Sequence, residues 1–181
     1  FHQVPVNPRD VNKTAFICHR GCFRFPRMAF GLCNAPATFQ RLMDTVLGSL
    51  NFEICLAHLD DIIVFSHDLP SHIERLDKLF QRLREANLKL QISKCSILQK
   101  QVKFLGYTVS QRGVGTDPSK VSAISDWPVP TNLKQSRSFI GFCQYYRRFV
   151  PRFSEIAAPL HNLTRKGARF VWTEECQSVF N

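Results

Sequence analysis

Phe39, Leu42, Met43, Val46, Leu47 and Leu50 recur at helical spacing and predict an amphipathic helix behind Asn34-Ala35-Pro36. Asparagine is a favoured N-cap and proline is tolerated in a first helical turn, so Asn34 is the expected cap. A second stripe, Ile73, Leu76, Leu79, Phe80 and Leu83, predicts a helix over 71–87. A third, Leu133, Ser136, Phe139, Ile140 and Cys143, predicts one over 132–148. Asp117-Pro118 caps a short helix that ends at Trp127-Pro128, residues 156–163 form another, and Thr173-Glu174-Glu175-Cys176 opens a last one. Short apolar runs predict strands at 14–18 and 22–25, folded about His19-Arg20-Gly21 with Gly21 at positive φ. Further strands are expected at 53–58 and 62–65, on either side of Asp60-Asp61, and at 88–92 and 101–109, with a turn at 111–113. Residues 1–6 read as an extended or short helical entry.

These elements predict an α+β chain whose character changes after residue 115. Residues 1–115 mix strands and helices, 116–165 form a small helical module, and 166–181 begin a further region. The chain starts on Phe1 and stops inside a helix-like run, which reads as a piece cut from a longer polypeptide. Hydrophobic content of 44% and charged content of 21% are globular values and argue against disorder. No apolar run reaches the roughly 18 residues that span a bilayer. The net charge of +10 favours a polyanion, nucleic acid or an anionic membrane face, without choosing between them. The cysteines, Cys18, Cys22, Cys33, Cys55, Cys95, Cys143 and Cys176, are scattered and odd in number. They read as reduced, buried thiols of an intracellular protein. Cys18-His19-x-x-Cys22 straddles a hairpin and lacks a second ligand pair, which disfavours a zinc site.

Two adjacent aspartates between apolar strands are the chemical oddity of the chain. In Leu59-Asp60-Asp61-Ile62 like charges repel, and burial would add a desolvation cost. Either the pair simply points into water from a hairpin turn, where Asp is common, or it holds divalent cations. Mg²⁺ usually takes one or two carboxylates plus substrate phosphates. On the dipeptide alone the plain turn is the simpler reading.

The flanking residues change that balance. Phe30-Gly31-Leu32-Cys33-Asn34-Ala35-Pro36-Ala37-Thr38-Phe39-Gln40 resembles the FGLxNAPATFQ segment of reverse transcriptases, and His58-Leu59-Asp60-Asp61-Ile62 resembles their YLDD box. Lys94-Cys95 and Val102-Lys103-Phe104-Leu105-Gly106-Tyr107 resemble the next two polymerase motifs. Asp126-Trp127-Pro128 and Gln144-Tyr145-Tyr146-Arg147-Arg148-Phe149 are similar to the thumb of gypsy-type (Ty3-like) long-terminal-repeat retrotransposons. Phe170-Val171-Trp172-Thr173 resembles the entry to an RNase H-like region. The resemblance runs through essentially the whole chain, in order.

It implies a reverse-transcriptase palm, an antiparallel sheet with packed helices, with partial fingers over 1–115. A small helical thumb follows over 116–165, and 166–181 start the connection or RNase H-like region. The implied function is RNA-directed DNA polymerisation, adding deoxynucleotides to a primer 3′ end by two-metal catalysis with Mg²⁺, Mn²⁺ being the alternative ion. Asp60 would be the principal metal ligand and Asp61 a weaker one. The remaining aspartate of the family's first motif lies five residues before the aromatic that Phe1 matches, hence outside the chain, so the chain alone is expected to be inactive. Phe1 would be the gate against a 2′-hydroxyl, and Phe30 and Gly31 would border the nucleotide pocket. Gln40 would contact template, nucleotide or neighbouring backbone. Lys94 would be the general acid toward pyrophosphate. Phe104, Leu105, Gly106 and Tyr107 would form the primer grip. Arg137, Arg147 and Arg148, with Arg152, Tyr145 and Tyr146, would track the nucleic-acid backbone. Implied partners are an RNA or DNA template with a DNA primer, deoxynucleoside triphosphates, and the RNase H, integrase and protease parts of a Pol polyprotein, with no membrane. The implied setting is intracellular, a cytoplasmic particle with a nuclear phase, not a secreted protein. Two positions depart from the family pattern: His58 stands for the usual tyrosine and Ala29 for the usual proline. The alternative is a decayed or domesticated element that keeps the fold and binds nucleic acid without catalysis.

Overall fold

The computed structural model describes residues 1–181, which divide into two compact units, Phe1–Cys95 and Ser96–Asn181. Helix α1 (Ala35–Leu47) is the centre of the first unit. Its Phe39, Met43 and Leu47 are buried, Leu47 completely, and pack with Ile54, Cys55, Leu79 and Leu83. Burying side chains of this size contributes about 1.5–3 kcal/mol each, so the stripe is sufficient reason for the helix. Asn34 stands at the N-cap position, but its side chain makes no capping bond. Its carbonyl accepts from the Thr38 N–H.

Helix α2 (Leu69–Glu85) starts two residues before the expected position, because Asp68 caps it through the Ser71 N–H (2.8 Å) and Pro70 sits in the first turn. It ends on Asn87 at φ +54°, with Leu88 N–H donating to Leu83 O and Asn87 N–H to Arg84 O. That is the Schellman pattern with asparagine at the left-handed position. Leu79 and Leu83 are buried, while Ile73 of the expected stripe is 56% exposed.

Two hairpins complete this unit. Strands β1 (Phe16–Cys18) and β2 (Gly21–Phe23) pair about His19-Arg20, with Gly21 at φ +123° as expected. Strands β3 (Cys55–His58) and β4 (Asp61–Val64) pair in the register His58↔Asp61, so Leu59 and Asp60 form a two-residue loop. The entry segment 1–6 is neither a strand nor a helix. Pro5 bridges to Arg27, Met28 N–H donates to Val4 O, and Val6 N–H donates to Pro26 O.

The expected strand at 88–92 is absent. At Lys89 the backbone polar groups are taken by a side chain instead: Gln3 Nε2 donates to Lys89 O (2.9 Å) and Gln3 Oε1 accepts from Lys89 N–H (2.7 Å). A carboxamide therefore satisfies what a neighbouring strand would have.

In the second unit the expected strand at 101–109 is a hairpin, β5 (Gln101–Phe104) and β6 (Tyr107–Ser110). The chain reverses at Leu105 (φ +48°) and Gly106 (φ +73°), the sign pattern of a type I′ loop. The turn at 111–113 leads into an unforeseen strand, β7 (Gly113–Thr116). Its two glycines weaken the strand signal in the sequence. Helix α3 (Pro118–Ser125) follows, then α4 (Leu133–Tyr145), capped by Asn132 through the Gln135 N–H (3.0 Å). Where one helix was expected over 156–163 there are two short ones, α5 (Phe153–Ile156) and α6 (Ala158–Leu163), and Pro159 opens the second. Helix α7 (Glu174–Phe180) is capped by Thr173. Phe139, Ile140, Leu160, Leu163 and Cys176 are the buried core. The contact boundary at Cys95 thus groups the β5–β7 sheet with the helices after residue 115. All strand pairings are antiparallel, in two two-stranded sheets and one three-stranded sheet.

Asp117 is buried at the N-cap of α3, where it pairs with Lys103 Nζ (2.9 Å) and accepts from the Ser119 N–H (3.0 Å). The Lys103 ammonium and Ser119 hold its carboxyl below the ordinary carboxylate value. A depressed folded-state pKa adds stability above the unfolded value of about 3.9, lost as pH falls through the lower folded one. Asp117→Asn is therefore expected to lower the Tm at pH 7 and to flatten the acid limb of Tm against pH. An unchanged acid limb would remove Asp117 from the acid transition.

The cysteines depart from the expected burial. Cys55 and Cys176 are buried, but Cys18, Cys22, Cys33 and Cys95 are exposed. The first two ride on the β1–β2 hairpin, every residue of which is exposed. No helix is long and apolar enough to cross a membrane.

Candidate active site

The β3–β4 loop presents its carboxylates outward. Asp60 and Asp61 are both exposed, while the flanking Ala57, Ile62, Ile63 and Val64 are partly buried. None of the four ion pairs of the chain involves either aspartate. Leu59, the first loop residue, has φ +55°, a region that costs a non-glycine residue about 1–2 kcal/mol. Glycine is the residue that tight loops usually place there.

A side chain from α1 holds this unusual residue. Gln40 Oε1 accepts the Leu59 N–H at 2.7 Å. Its Nε2 donates to Asp44 Oδ1 (2.9 Å) and, at 3.4 Å, to Ala57 O. A carboxylate can only accept, so Asp44 fixes which end of the amide faces the loop. Gln40 is thus engaged with neighbouring backbone on both sides of His58.

The residue before it, Phe39, organises the aromatic side of the site. Phe1 meets Phe39 edge-on at 5.5 Å and Phe30 at 5.7 Å, and His2 meets Phe30 at 4.9 Å. Phe30 itself is 72% exposed, so these rings form a wall with an open face. Gly31 follows at φ +87°, with open space where a Cβ would lie. Phe1, Phe30 and Gln40 are therefore linked through consecutive residues of one helix. Phe39, His2 and Asp44 were missed as contributors, although Phe39 lies inside the quoted motif beside Gln40.

Lys94 is not drawn in. It ends an exposed 3₁₀ turn, Ile92–Lys94, and makes no ion pair. No three His, Cys, Asp or Glu side chains converge anywhere as a metal cluster. Two free, adjacent, solvent-facing carboxylates suit a hard cation that takes its remaining ligands from phosphates and water.

In the second unit Phe104, Leu105, Gly106 and Tyr107 form the β5–β6 loop and its closing pair. Tyr107 stacks on Tyr145 (5.1 Å, 13°). Arg148 lies over the rings of Tyr107 (6.0 Å) and Phe149 (5.3 Å), and Arg147 is exposed beside it. Arg137 donates to Thr164 O (3.3 Å), and Arg152, at φ +56°, pairs with Glu155. Both therefore have intramolecular partners.

The chain is similar to known proteins over most of its length. Residues 1–109 match the reverse transcriptase (RNA-dependent DNA polymerase) family. The retrovirus-related Pol polyprotein from transposon 297 of Drosophila melanogaster is 44% identical over 166 residues, 92% of this chain and 16% of that protein. The transposon Tf2-3 polyprotein of Schizosaccharomyces pombe is 35% identical over 182 residues, 100% of this chain and 14% of that protein. Among solved structures, the foamy viral protease-reverse transcriptase dRH in complex with double-stranded DNA superposes with a TM-score of 0.88 at 30% identity, covering 97% of this chain and 31% of that one. The same viral enzyme in complex with an RNA/DNA hybrid gives 0.82 at 29% identity, covering 97% and 24%. The chain thus spans only a small part of the length of the curated relatives it matches. With the family match over the carboxylate hairpin and its supporting helix, the chain belongs to the reverse transcriptase (RNA-dependent DNA polymerase) family, of the kind carried in the Pol polyproteins of gypsy-type (Ty3-like) retrotransposons.

Proposed function

We propose that this chain supplies the carboxylate turn, nucleotide wall and primer-holding turn of an RNA-directed DNA polymerase working within a Pol polyprotein. The observation that carries the reading is the β3–β4 loop. Two unpaired aspartates are exposed on a strained residue that a helix side chain clamps in place. Strain held by a dedicated partner is a mark of functional loops.

Asp60 would be the principal and Asp61 the weaker ligand of Mg²⁺, or of Mn²⁺. When bound, such cations supply Lewis-acid activation of a primer 3′-hydroxyl and neutralise charge on the leaving pyrophosphate. Gln40 keeps the loop backbone fixed while this happens. Phe1 and Phe30 form a packed wall, and a rigid aromatic surface rejects a sugar bearing a 2′-hydroxyl because it cannot yield without moving packed rings. Lys94, exposed and unpaired, is free to approach phosphate oxygens and donate a proton. Arg147 and Arg148 supply positive charge for phosphates, which positions a duplex without reading its sequence. Residues 1–115 would act as palm with partial fingers, 116–165 as thumb, and 166–181 as the start of an RNase H-like region. The partners are a primed RNA or DNA template, deoxynucleoside triphosphates and the RNase H, integrase and protease parts of the polyprotein, in an intracellular particle.

The test is primer extension by the chain carrying its upstream polypeptide, through the aspartate expected five residues before Phe1. Extension with Mg²⁺ and deoxynucleotides is expected, and none from the 181 residues alone. A longer chain that binds primed template but never extends it would overturn the polymerase reading in favour of a non-catalytic nucleic-acid-binding element.

A further inference from the structure

The hydroxyls of the two tyrosines at the end of α4, Tyr146 buried and Tyr145 half exposed, reach the β5–β6 loop. Tyr146 Oη donates to Gly106 O at 2.9 Å, Tyr145 Oη donates to Leu105 O, and Tyr107 Oη donates back to Tyr145 O at 3.2 Å. Leu105 and Gly106 are the two loop residues, outside the β5–β6 register, so their carbonyls have no partner in the ladder. Both residues are at positive φ, and for Leu105 that conformation is costly. Tyr145 and Tyr146 also stand edge-to-face at 5.0 Å, and Tyr146 is buried. Desolvation holds both phenols above the ordinary tyrosine value, although Tyr145 is 48% exposed. A carbon added at Gly106 would touch the Tyr145 ring edge and hydroxyl at 3.5 Å and the Tyr146 hydroxyl at 3.6 Å.

We infer that Tyr145 and Tyr146 are positioning residues that latch the Leu105-Gly106 loop to the C-terminal end of α4 through its two unpaired carbonyls. Their role in the basic and aromatic patch is therefore structural, and phosphate contact falls to Arg147 and Arg148. Arg148, lying over Tyr107, is oriented by the same cluster. The latch itself rests only on these contacts. Its consequence, that the loop holds a primer end, rests on the polymerase reading above.

The two are separable by experiment. In the 181-residue chain, Tyr145→Phe combined with Tyr146→Phe keeps both rings and removes both donors. Amide exchange at Phe104 and Tyr107, the pair that closes the loop, is expected to speed about tenfold, while α1 and α2 keep their protection. Unchanged exchange at the loop overturns the latch. In the upstream-extended polymerase the same pair is expected to dissociate severalfold faster from primed template, lowering the nucleotides added per binding event, with the KM for deoxynucleotide unchanged. Faster exchange without faster dissociation overturns the primer-holding role and leaves the latch standing. If the extended chain shows no polymerase activity at all, the exchange result still decides the latch.

Discussion

Asp60→Asn in the upstream-extended chain is expected to reduce primer extension about a thousandfold, with binding of primed template nearly unchanged. Carboxamide and carboxylate have nearly the same shape, and Asp60 is exposed and outside every ion pair, so the substitution disturbs no packing. What it removes is a negative charge and a hard oxygen ligand. Metal coordination supplies several kcal/mol of transition-state stabilisation, and a loss of about 4 kcal/mol corresponds to about a thousandfold in rate. Asp61→Asn should cost less if, as proposed, Asp61 is the weaker ligand of the ion. Mn²⁺, which binds such sites more tightly than Mg²⁺, should restore part of the Asp61→Asn activity before it restores any of Asp60→Asn. Equal losses at the two positions would contradict the division of roles. Retention of activity by Asp60→Asn would remove the loop from the chemistry altogether.

The helices were legible because their signals are local. The stripe from Phe39 to Leu50 and the caps at Asp117, Asn132 and Thr173 each need only a few neighbouring residues to be read. The hairpins were legible as pairs of apolar runs around polar turns. What failed was decided at a distance. Residues 88–92 look strand-like, but Gln3, far away in sequence, takes the Lys89 backbone bonds. Residues 101–109 look like one strand, and only the phenols of α4 show why the chain reverses at a leucine.

The site divides in the same way. Asp60 and Asp61 were conspicuous because adjacent charges between apolar runs are chemically odd. Their support was not, because a glutamine on a helix looks like any solvated residue until its partner loop is known. Two loops in this chain share one construction. Each is a two-residue hairpin turn, each places a leucine at positive φ, and each is bonded by side chains of a neighbouring helix. In both, strain at the loop is offset by hydrogen bonds to a packed element. Such preorganisation is what positions reacting groups without a cost at the moment of reaction.

Gln40→Leu is expected to lower kcat for primer extension about tenfold to a hundredfold while leaving the KM for deoxynucleotide close to its original value. The substitution keeps an apolar stem of similar size but leaves the Leu59 N–H without its acceptor, a loss of about 1–3 kcal/mol when the group stays screened from water. The resemblance to the family allowed Gln40 a nucleotide contact, and that alternative predicts the opposite split, a raised KM with kcat preserved. Gln40→Glu separates the two further. A carboxylate can still accept from Leu59 N–H, but it cannot donate to Asp44 or Ala57 O, and it sets a second negative charge against Asp44. It should therefore be at least as damaging as Gln40→Leu at neutral pH. Asp44→Asn should be milder, because an amide at 44 can still accept from Gln40 and only weakens the preference for one amide orientation. The graded order, Asp44→Asn mildest and Gln40→Glu most severe, with kcat moving and KM still, is the signature of a residue that acts on the proposed metal-binding carboxylates through the backbone of Leu59.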